Sequence, residues 1–419
     1  MKEQNGFKST LTDLIDDASY TRFDKRKCAL YYDQYMGEGH RSKMKRKSRE
    51  DTIAGIKKNK AGFGLKDRAL LGAAWLQDMS DPLCPGPNKS NAGVRSWTKV
   101  NKSLATPQKL GVPPYQGSPK EAARIVKQAA KTFGACRAGI TGLDKRHVYR
   151  YECDGKEIVF EPVDEPYETG EKRVIPEKCK YVVVMLVQMS PEAFACTPFP
   201  VGSVMPALSY NRIDYLTGAV AEFIRGLGYT AIPSANDISS NGPFAIEAGL
   251  GEQCRTDKVI HPDFGPMIRI CKVITDLPME LDHRRNFGVT EFCKVCRRCV
   301  EICPVKAINE EREPSFAVPG AWVNPGHKTW HGDNPKCWAY AESTGGGCGI
   351  CMPVCPWNKP RGILHSLVRA VIRRTPLFNR LFVAADKFFG YGKPMDPEKW
   401  WNLDLPTYGI DTRRSRKKR

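Results

Sequence analysis

One stretch of the chain is apolar at all but one position. Residues 181–189 (YVVVMLVQM) are rich in β-branched side chains, and such a run predicts a strand covered on both faces. Helical and strand signals alternate around it. Ser118 and Pro119 precede apolar positions at helical spacing through Lys131, which predicts a capped amphipathic helix. Residues 139–142 (GITG) read as a short strand and turn. Asp214 to Leu227 reads as a helix stopped at Gly228, a residue suited to the left-handed position after a helix. Residues 230–233 (TAIP) and 267–275 (MIRICKVIT) read as two further strands. The alternation predicts an α/β (α+β) domain over 116–290. Ahead of it, 1–115 is polar, basic and broken by Pro and Gly, with a short helix over 66–77. Behind it, in a helical segment and basic tail over 361–419, Ile363, Leu364, Leu367, Val368, Val371 and Ile372 fall at helical spacing among Arg369, Arg373 and Arg374. That stripe predicts a core-facing helix, with docking to a membrane partner as the sharper reading.

Between these regions, 291–360 carries half of the chain's 16 cysteines. The first run is Cys293, Cys296, Cys299 and Cys303, followed by Pro304. The second is Cys337, Cys348, Cys351 and Cys355, followed by Pro356. Cys-x2-Cys-x2-Cys-x3-Cys-Pro is the spacing of a ferredoxin-like module with two [4Fe–4S] clusters, in which the fourth cysteine of a run serves the other cluster. The expected ligand sets are therefore Cys293, Cys296, Cys299 and Cys355 for one cluster, and Cys303, Cys337, Cys348 and Cys351 for the other. The Cys-Pro steps are expected to open helices. The wide gap after Cys337 holds Ser343, Thr344 and Gly345 to Gly347, small residues that let backbone pass a bulky group. Paired CxxC motifs also bind zinc, but the triple run favours iron–sulfur. A disulfide framework does not suit a chain of this length. The remaining cysteines, 28, 84, 136, 153, 179, 196, 254 and 271, read as buried small hydrophobes.

A chain of 419 residues has room for two or three domains. No run of 18 apolar residues predicts a membrane span. Asp13, Asp16, Asp17 and Asp24 interrupt the first thirty residues, so no export leader is read there. The formal charge is +19, with Lys/Arg runs at 43–47 and 413–419. No groove-reading motif accompanies that charge, so nucleic acid is not the expected partner. An anionic membrane face or an acidic partner fits better.

No GxGxxG opens a helix after a strand, so a nicotinamide or flavin Rossmann site is not indicated. Residues 210–214 (YNRID), 222–233 (EFIRGLGYTAIP) with Asn236, 243–252 (PFAIEAGLGE), 269–278 (RICKVITDLP), 288–293 (GVTEFC) and the asymmetric second cysteine run resemble the corrinoid- and iron–sulfur-dependent reductive dehalogenases. The resemblance covers about 116–419. It implies a nitroreductase-like catalytic domain binding a base-off cobamide with no protein ligand on cobalt. The chain's seven histidines include no Asp-x-His-x-x-Gly, and His327 and His331 read as structural. The cluster of the second run is implied to lie nearer the corrinoid, the other to face the donor.

By the same resemblance Tyr210 is the proton donor, Arg269 the cation beside it and Asn236 a polar neighbour, with Tyr210, Asn236, Gly249 and Gly251 contacting the cofactor. A free phenol, with pKa about 10, is a weak acid at neutral pH, and a neighbouring cation makes proton release easier. The cation would also attract a departing halide. Without the motif Tyr210 would read as a helix-start packing residue. Pro206 stands where some relatives place a hydroxyl residue. The implied substrate is a small chlorinated alkane or alkene. The implied partners are a small integral-membrane anchor and a quinol-linked donor, with a homodimer as candidate assembly. The implied location is the outer face of the cytoplasmic membrane after leader removal. Competing readings are an epoxyqueuosine-reductase-like enzyme acting on tRNA and a non-catalytic electron-transfer subunit.

Overall fold

The computed structural model describes residues 9–58, 60–74, 90–99, 101–345, 347–359 and 362–406. Cys84, Gly346 and the basic run at 413–419 lie outside them. Helices α1 (His40–Lys57) and α2 (Leu65–Ala74) precede α3 (Pro119–Thr132). The cap of α3 is the expected one: Ser118 Oγ accepts from Glu121 N at 3.3 Å, with Pro119 in the first turn. The strands are β1 (Arg137–Gly142), β2 (Glu157–Glu161), β3 (Tyr167–Glu168), β4 (Lys172–Pro176), β5 (Tyr181–Gln188), β6 (Ala231–Ser234), β7 (Glu252–Gln253), β8 (Val259–Ile260) and β9 (Ile268–Thr275).

The central sheet runs β1-β5-β9-β6, and every neighbouring pair is antiparallel. The alternation of helices and strands therefore builds an α+β sheet, not a parallel one. β5 is covered on both faces as its composition demands. Val182, Val184 and Leu186 join one core with Ile274, Phe244 and Ile158. Val183, Met185 and Val187 join another with Val273 and with Val126 of α3. The alternation of side chains along each strand makes this division.

Helix α4 runs from Pro200 to Gly226, starting fourteen residues before the position expected from sequence. Pro206 reads as a breaker because it lacks an N–H and crowds the carbonyl four residues back. Packing overrides it here: Val201, Val204 and Met205 are buried with Phe194, Met267 and Trp400. Tyr210 consequently sits inside a helix rather than at its start. The far end behaves as expected, with Gly228 at φ +93.

The N-terminal region is part of the same body. Leu11, Ile15, Tyr20 and Trp97 are buried in the sheet's core. Ser9 Oγ donates to Glu247 Oε1 at 2.6 Å, at the end of helix α5 (Asn241–Glu247). Burial pushes the Glu247 carboxyl up to about 7. A raised carboxylate pKa favours folding below the unfolded value of about 4.5 and loses that contribution as pH rises through 7. Glu247→Gln is therefore expected to gain on wild type by up to roughly 3 kcal/mol between pH 4.5 and pH 8. Thermal midpoints of both proteins at the two pH values check this; a pH-independent difference refutes it.

The cysteine runs lie on α6 (Val289–Val295), α7 (Arg298–Ile302), α8 (Asn334–Ser343) and the turns between them. Cys303-Pro304 and Cys355-Pro356 open turns, not helices, because the chain reverses at both points. Helices α9 (Ile363–Arg374) and α10 (Asn379–Phe388) close the module. The α9 stripe divides. Ile372 and Val368 pack on the module core, whereas Ile363, Leu364 and Leu367 are exposed.

Candidate active site and cluster ligands

Three elements converge on the phenol of Tyr210. Midway along α4, Tyr210 packs against the β5–β9 face that carries Val183 and Val273. Arg269 stands near the start of β9, opposite Val187, and shares a strand face with Cys271 and Val273. Asn236 follows β6 in the loop leading to α5. The geometry is close: Asn236 Nδ2 donates to Tyr210 Oη at 2.9 Å and Arg269 Nη1 at 3.1 Å. The guanidinium also lies over the Tyr210 ring, 4.3 Å from its centroid. Both contacts are donors to the phenol oxygen. They persist when the oxygen surrenders its proton; the guanidinium bond is charge-assisted throughout, and the amide bond becomes so then.

The residues behind these three were not legible from sequence. Arg269 Nε donates to Ser209 Oγ at 3.3 Å, and Ser209 Oγ donates to Pro206 O at 2.7 Å. Asn241 Nδ2 donates to Asn236 Oδ1 and Ile270 O, each at 3.0 Å, and to Ala235 O at 2.9 Å. Asn241 Oδ1 accepts from Lys272 Nζ at 2.6 Å. Lys272 is fully buried, and burial pulls its ammonium down to about 7 against the pull of Asp237. Asp237 follows Asn236 and pairs with Arg95, Nη1 to Oδ2 at 3.3 Å. Arg95 Nε also meets Asp214 Oδ1 of α4 at 3.1 Å. Burial alone would push the Asp237 carboxyl up, but Arg95, Lys25 and Lys272 hold it below the ordinary range. A buried ion triad thus ties the Asn236 loop to α4.

Gly249 and Gly251 each lie against backbone of the chain itself. At Gly249 (φ +66) a Cβ would stand 2.4 Å from His283 O, and at Gly251 2.5 Å from Ile260 O. His327 and His331 fit the structural reading: His327 Nε2 contacts Gln253 Oε1 at 3.1 Å, and His331 Nε2 contacts His327 O at 2.9 Å.

The eight module cysteines come near one another within the module. Cys293, Cys296, Cys299 and Cys355 act on one another electrostatically, and Cys351 of the second set also acts on Cys299. Cys303, Cys337, Cys348 and Cys351 do likewise, Cys337 included. Burial pushes the thiols of Cys348 and Cys351 up, to about 11 and about 12. Thiolates there need a positive partner, as iron would be, and taking it up releases protons. Among the described residues no three His, Cys, Asp or Glu side chains close on a single-ion site. Of the scattered cysteines, Cys179, Cys196, Cys254 and Cys271 are buried as expected, but Cys28, Cys136 and Cys153 are half-exposed. Cys254 is a fifth thiol against the first set, which spacing did not reveal because it lies 39 residues before Cys293 in the chain.

The chain matches the family model described as reductive dehalogenase subunit over residues 13–166 and 155–279, and a 4Fe-4S double cluster binding domain over 292–358. It is 33% identical over 375 residues to the tetrachloroethene reductive dehalogenase of Sulfurospirillum multivorans, covering 85% of this chain and 74% of that one. It is 32% identical over 311 residues to the tetrachloroethene reductive dehalogenase of Desulfitobacterium hafniense, covering 67% and 56%. A solved reductive dehalogenase, described as suggesting a mechanism for B12-dependent dehalogenation, is similar with TM-score 0.60 and 26% identity over 74% of this chain and 41% of that one. The chain thus spans less than half the length of that solved relative. Similarity to an epoxyqueuosine reductase of Cyclobacterium marinum, 29% identical over 116 residues, extends over 28% of this chain. With the family model spanning the sheet and the Tyr210 site, and the cluster domain spanning all eight module cysteines, the chain belongs to the reductive dehalogenase family.

Proposed function

We propose that the chain is the catalytic subunit of a reductive dehalogenase that replaces the carbon–halogen bond of a small chlorinated alkane or alkene by carbon–hydrogen. The balance is organohalide plus two electrons plus one proton to the hydrogenated product plus halide. The observation that carries this reading is a phenol oxygen, half-buried, receiving hydrogen bonds from an amide and a guanidinium at 2.9 and 3.1 Å. Tyr210 gives its proton to the carbon that loses halogen. Asn236 and Arg269 orient the phenol and carry the charge left on its oxygen. Arg269 also draws the departing halide.

A base-off cobamide in a nitroreductase-like domain would supply the strongly reducing metal centre, and two [4Fe–4S] clusters would bring its electrons singly. The chain's residues suit both. The two cysteine sets would hold the clusters. Around the phenol stand a guanidinium, an amide and the Ser209 hydroxyl, none of them a ligand for cobalt, which agrees with a metal held by its macrocycle. The organohalide names of the relatives support the substrate class.

Anaerobically purified or reconstituted protein is expected to contain cobalt near one and iron near eight per chain, from the ligand count. It is expected to release halide from a panel of chlorinated methanes, ethanes and ethenes with a low-potential donor. Failure to take up any corrinoid refutes the reading. Iron without cobalt would point to an electron-transfer subunit, and turnover of a modified tRNA alone to the epoxyqueuosine alternative.

The same reading places the protein peripherally on the outer face of the cytoplasmic membrane, with a small membrane anchor and a quinol-linked donor. Among the described residues no helix is long and apolar enough to cross a membrane. The exposed apolar side chains Ile363, Leu364, Leu377, Leu381 and Phe388, with Arg373, Arg374 and Arg380 among them, support an anchor contact on α9 and α10.

A further inference from the structure

Between β7 and β8 the chain makes a tight turn. Cys254 N donates to Lys258 O at 2.9 Å and Asp257 N to Cys254 O at 3.0 Å, with Asp257 at φ +54. The turn belongs to the sheet domain but inserts into the iron–sulfur module. Glu252 Oε2, at its base, accepts from Val289 N at 3.1 Å and from Phe287 N. Cys254 is buried with Phe292, Cys293, Cys296, Trp330 and Trp357.

Arg255 goes with it and is 1% exposed. Its Nη2 and Nε donate to Cys293 O at 2.7 and 3.2 Å. Its Nη1 donates to Asn309 O at 3.1 Å and to Glu311 O. Its guanidinium lies 4.9 Å from the Trp330 ring centroid. Every acceptor is a neutral carbonyl, and among the described residues no carboxylate forms an ion pair with Arg255. A cation buried so deeply without an anion is strongly disfavoured, and arginine does not escape by losing its proton. The missing anion is adjacent: the guanidinium bonds the carbonyl of Cys293 itself, and Cys293, Cys299 and Cys296 are the anionic groups that act on it. A four-iron cube on four thiolates is anionic and gains one more negative charge when it accepts an electron. Lys258, in the same turn, is acted on by Cys351 and Cys337 of the second set.

We propose that Arg255 is a fixed positive charge dedicated to the cluster of Cys293, Cys296, Cys299 and Cys355, holding its reduction potential up so that it accepts electrons from the external donor. The step is transfer of one electron from a one-electron donor to that cluster, with no proton moved and the guanidinium charged throughout. Arg255 acts through the cluster and touches no substrate, so it is a positioning residue in the electrostatic sense. The inference rests on the two-cluster reading above.

The test is an EPR-monitored redox titration of the anaerobic holoenzyme. Arg255→Gln, with iron near the wild-type content, is expected to lower the reduced-to-oxidised ratio of one cluster at least tenfold at fixed potential. For a one-electron couple that is a shift of about 59 mV to more negative values. The second cluster should move by far less. Arg255→Lys keeps the charge without the fork and should restore most of the shift. A purely structural clamp predicts the reverse: both variants lose thermal stability and neither moves a potential. Unmoved potentials in Arg255→Gln, or Arg255→Lys as low as Arg255→Gln, overturn the proposal. Should Arg255→Gln lose iron, Arg255→Lys decides alone: a potential close to wild type supports the charge role, and a tenfold or larger drop refutes it. Wild-type protein that binds no iron would instead refute the two-cluster reading.

Discussion

Tyr210→Phe is expected to lose about a hundred- to ten-thousand-fold in halide release, the range general acids contribute, with cobalt and iron content unchanged. The substitution removes one oxygen atom. The ring keeps its place against the β5–β9 face, and the guanidinium of Arg269 keeps a ring to lie on. Binding and electron delivery should therefore survive while proton transfer fails. Asn236→Ala removes one of the two donors on the phenol oxygen. Its expected cost is about tenfold, the worth of one such hydrogen bond. Halide release under single-turnover conditions reads the chemical step directly. Wild-type rates in Tyr210→Phe would remove the acid role, and equal losses in both variants would mean that orientation matters more than the proton.

Arg95→Met is expected to destabilise the fold by about 3–5 kcal/mol, the cost of removing one partner from a buried ion network. Arg95 is 0% exposed, as are Asp214 and Asp237. The substitution takes the guanidinium away from both carboxylates, one on α4 and one beside Asn236. A fall in thermal midpoint should therefore be accompanied by loss of turnover in the fraction that remains folded. A surface-like change below about 0.5 kcal/mol would show that the triad is not what holds the Asn236 loop.

The sequence pattern located most of what short-range physics controls. The double-sided burial of β5, the Ser118 cap of α3 and the stop at Gly228 follow from local composition. The double-cluster module is legible from cysteine spacing, since the geometry of a cube constrains neighbours along the chain. The Tyr210, Arg269 and Asn236 group came from motif resemblance, and the hydrogen bonds now give it physical content. Two kinds of feature escaped. One is the long-range override: Pro206 breaks a helix by local rules, yet burial of Val204 and Met205 carries α4 through it. The other is the tertiary contact without periodicity. Arg95 sits in a region that reads as irregular, Lys272 in a strand that reads as apolar, and Arg255 just past the last residue of a recognised motif. Each was invisible because its partner lies far away in sequence. The segment before residue 116 reads as separate for the same reason, although Leu11, Ile15 and Tyr20 pack into the sheet's core.

The strand order carries a consequence for biosynthesis. β9 is the hydrogen-bonding partner of both β5 and β6, yet the ribosome makes it last of the four. While the roughly eighty residues between Gln188 and Ile268 are being added, at about 5–20 residues per second, one edge of the apolar β5 strand has no mate. An unmated edge of that composition is a template for intermolecular pairing. The nascent polypeptide must pass several seconds in that condition, and a holding chaperone bound over residues 181–188 would act during that interval.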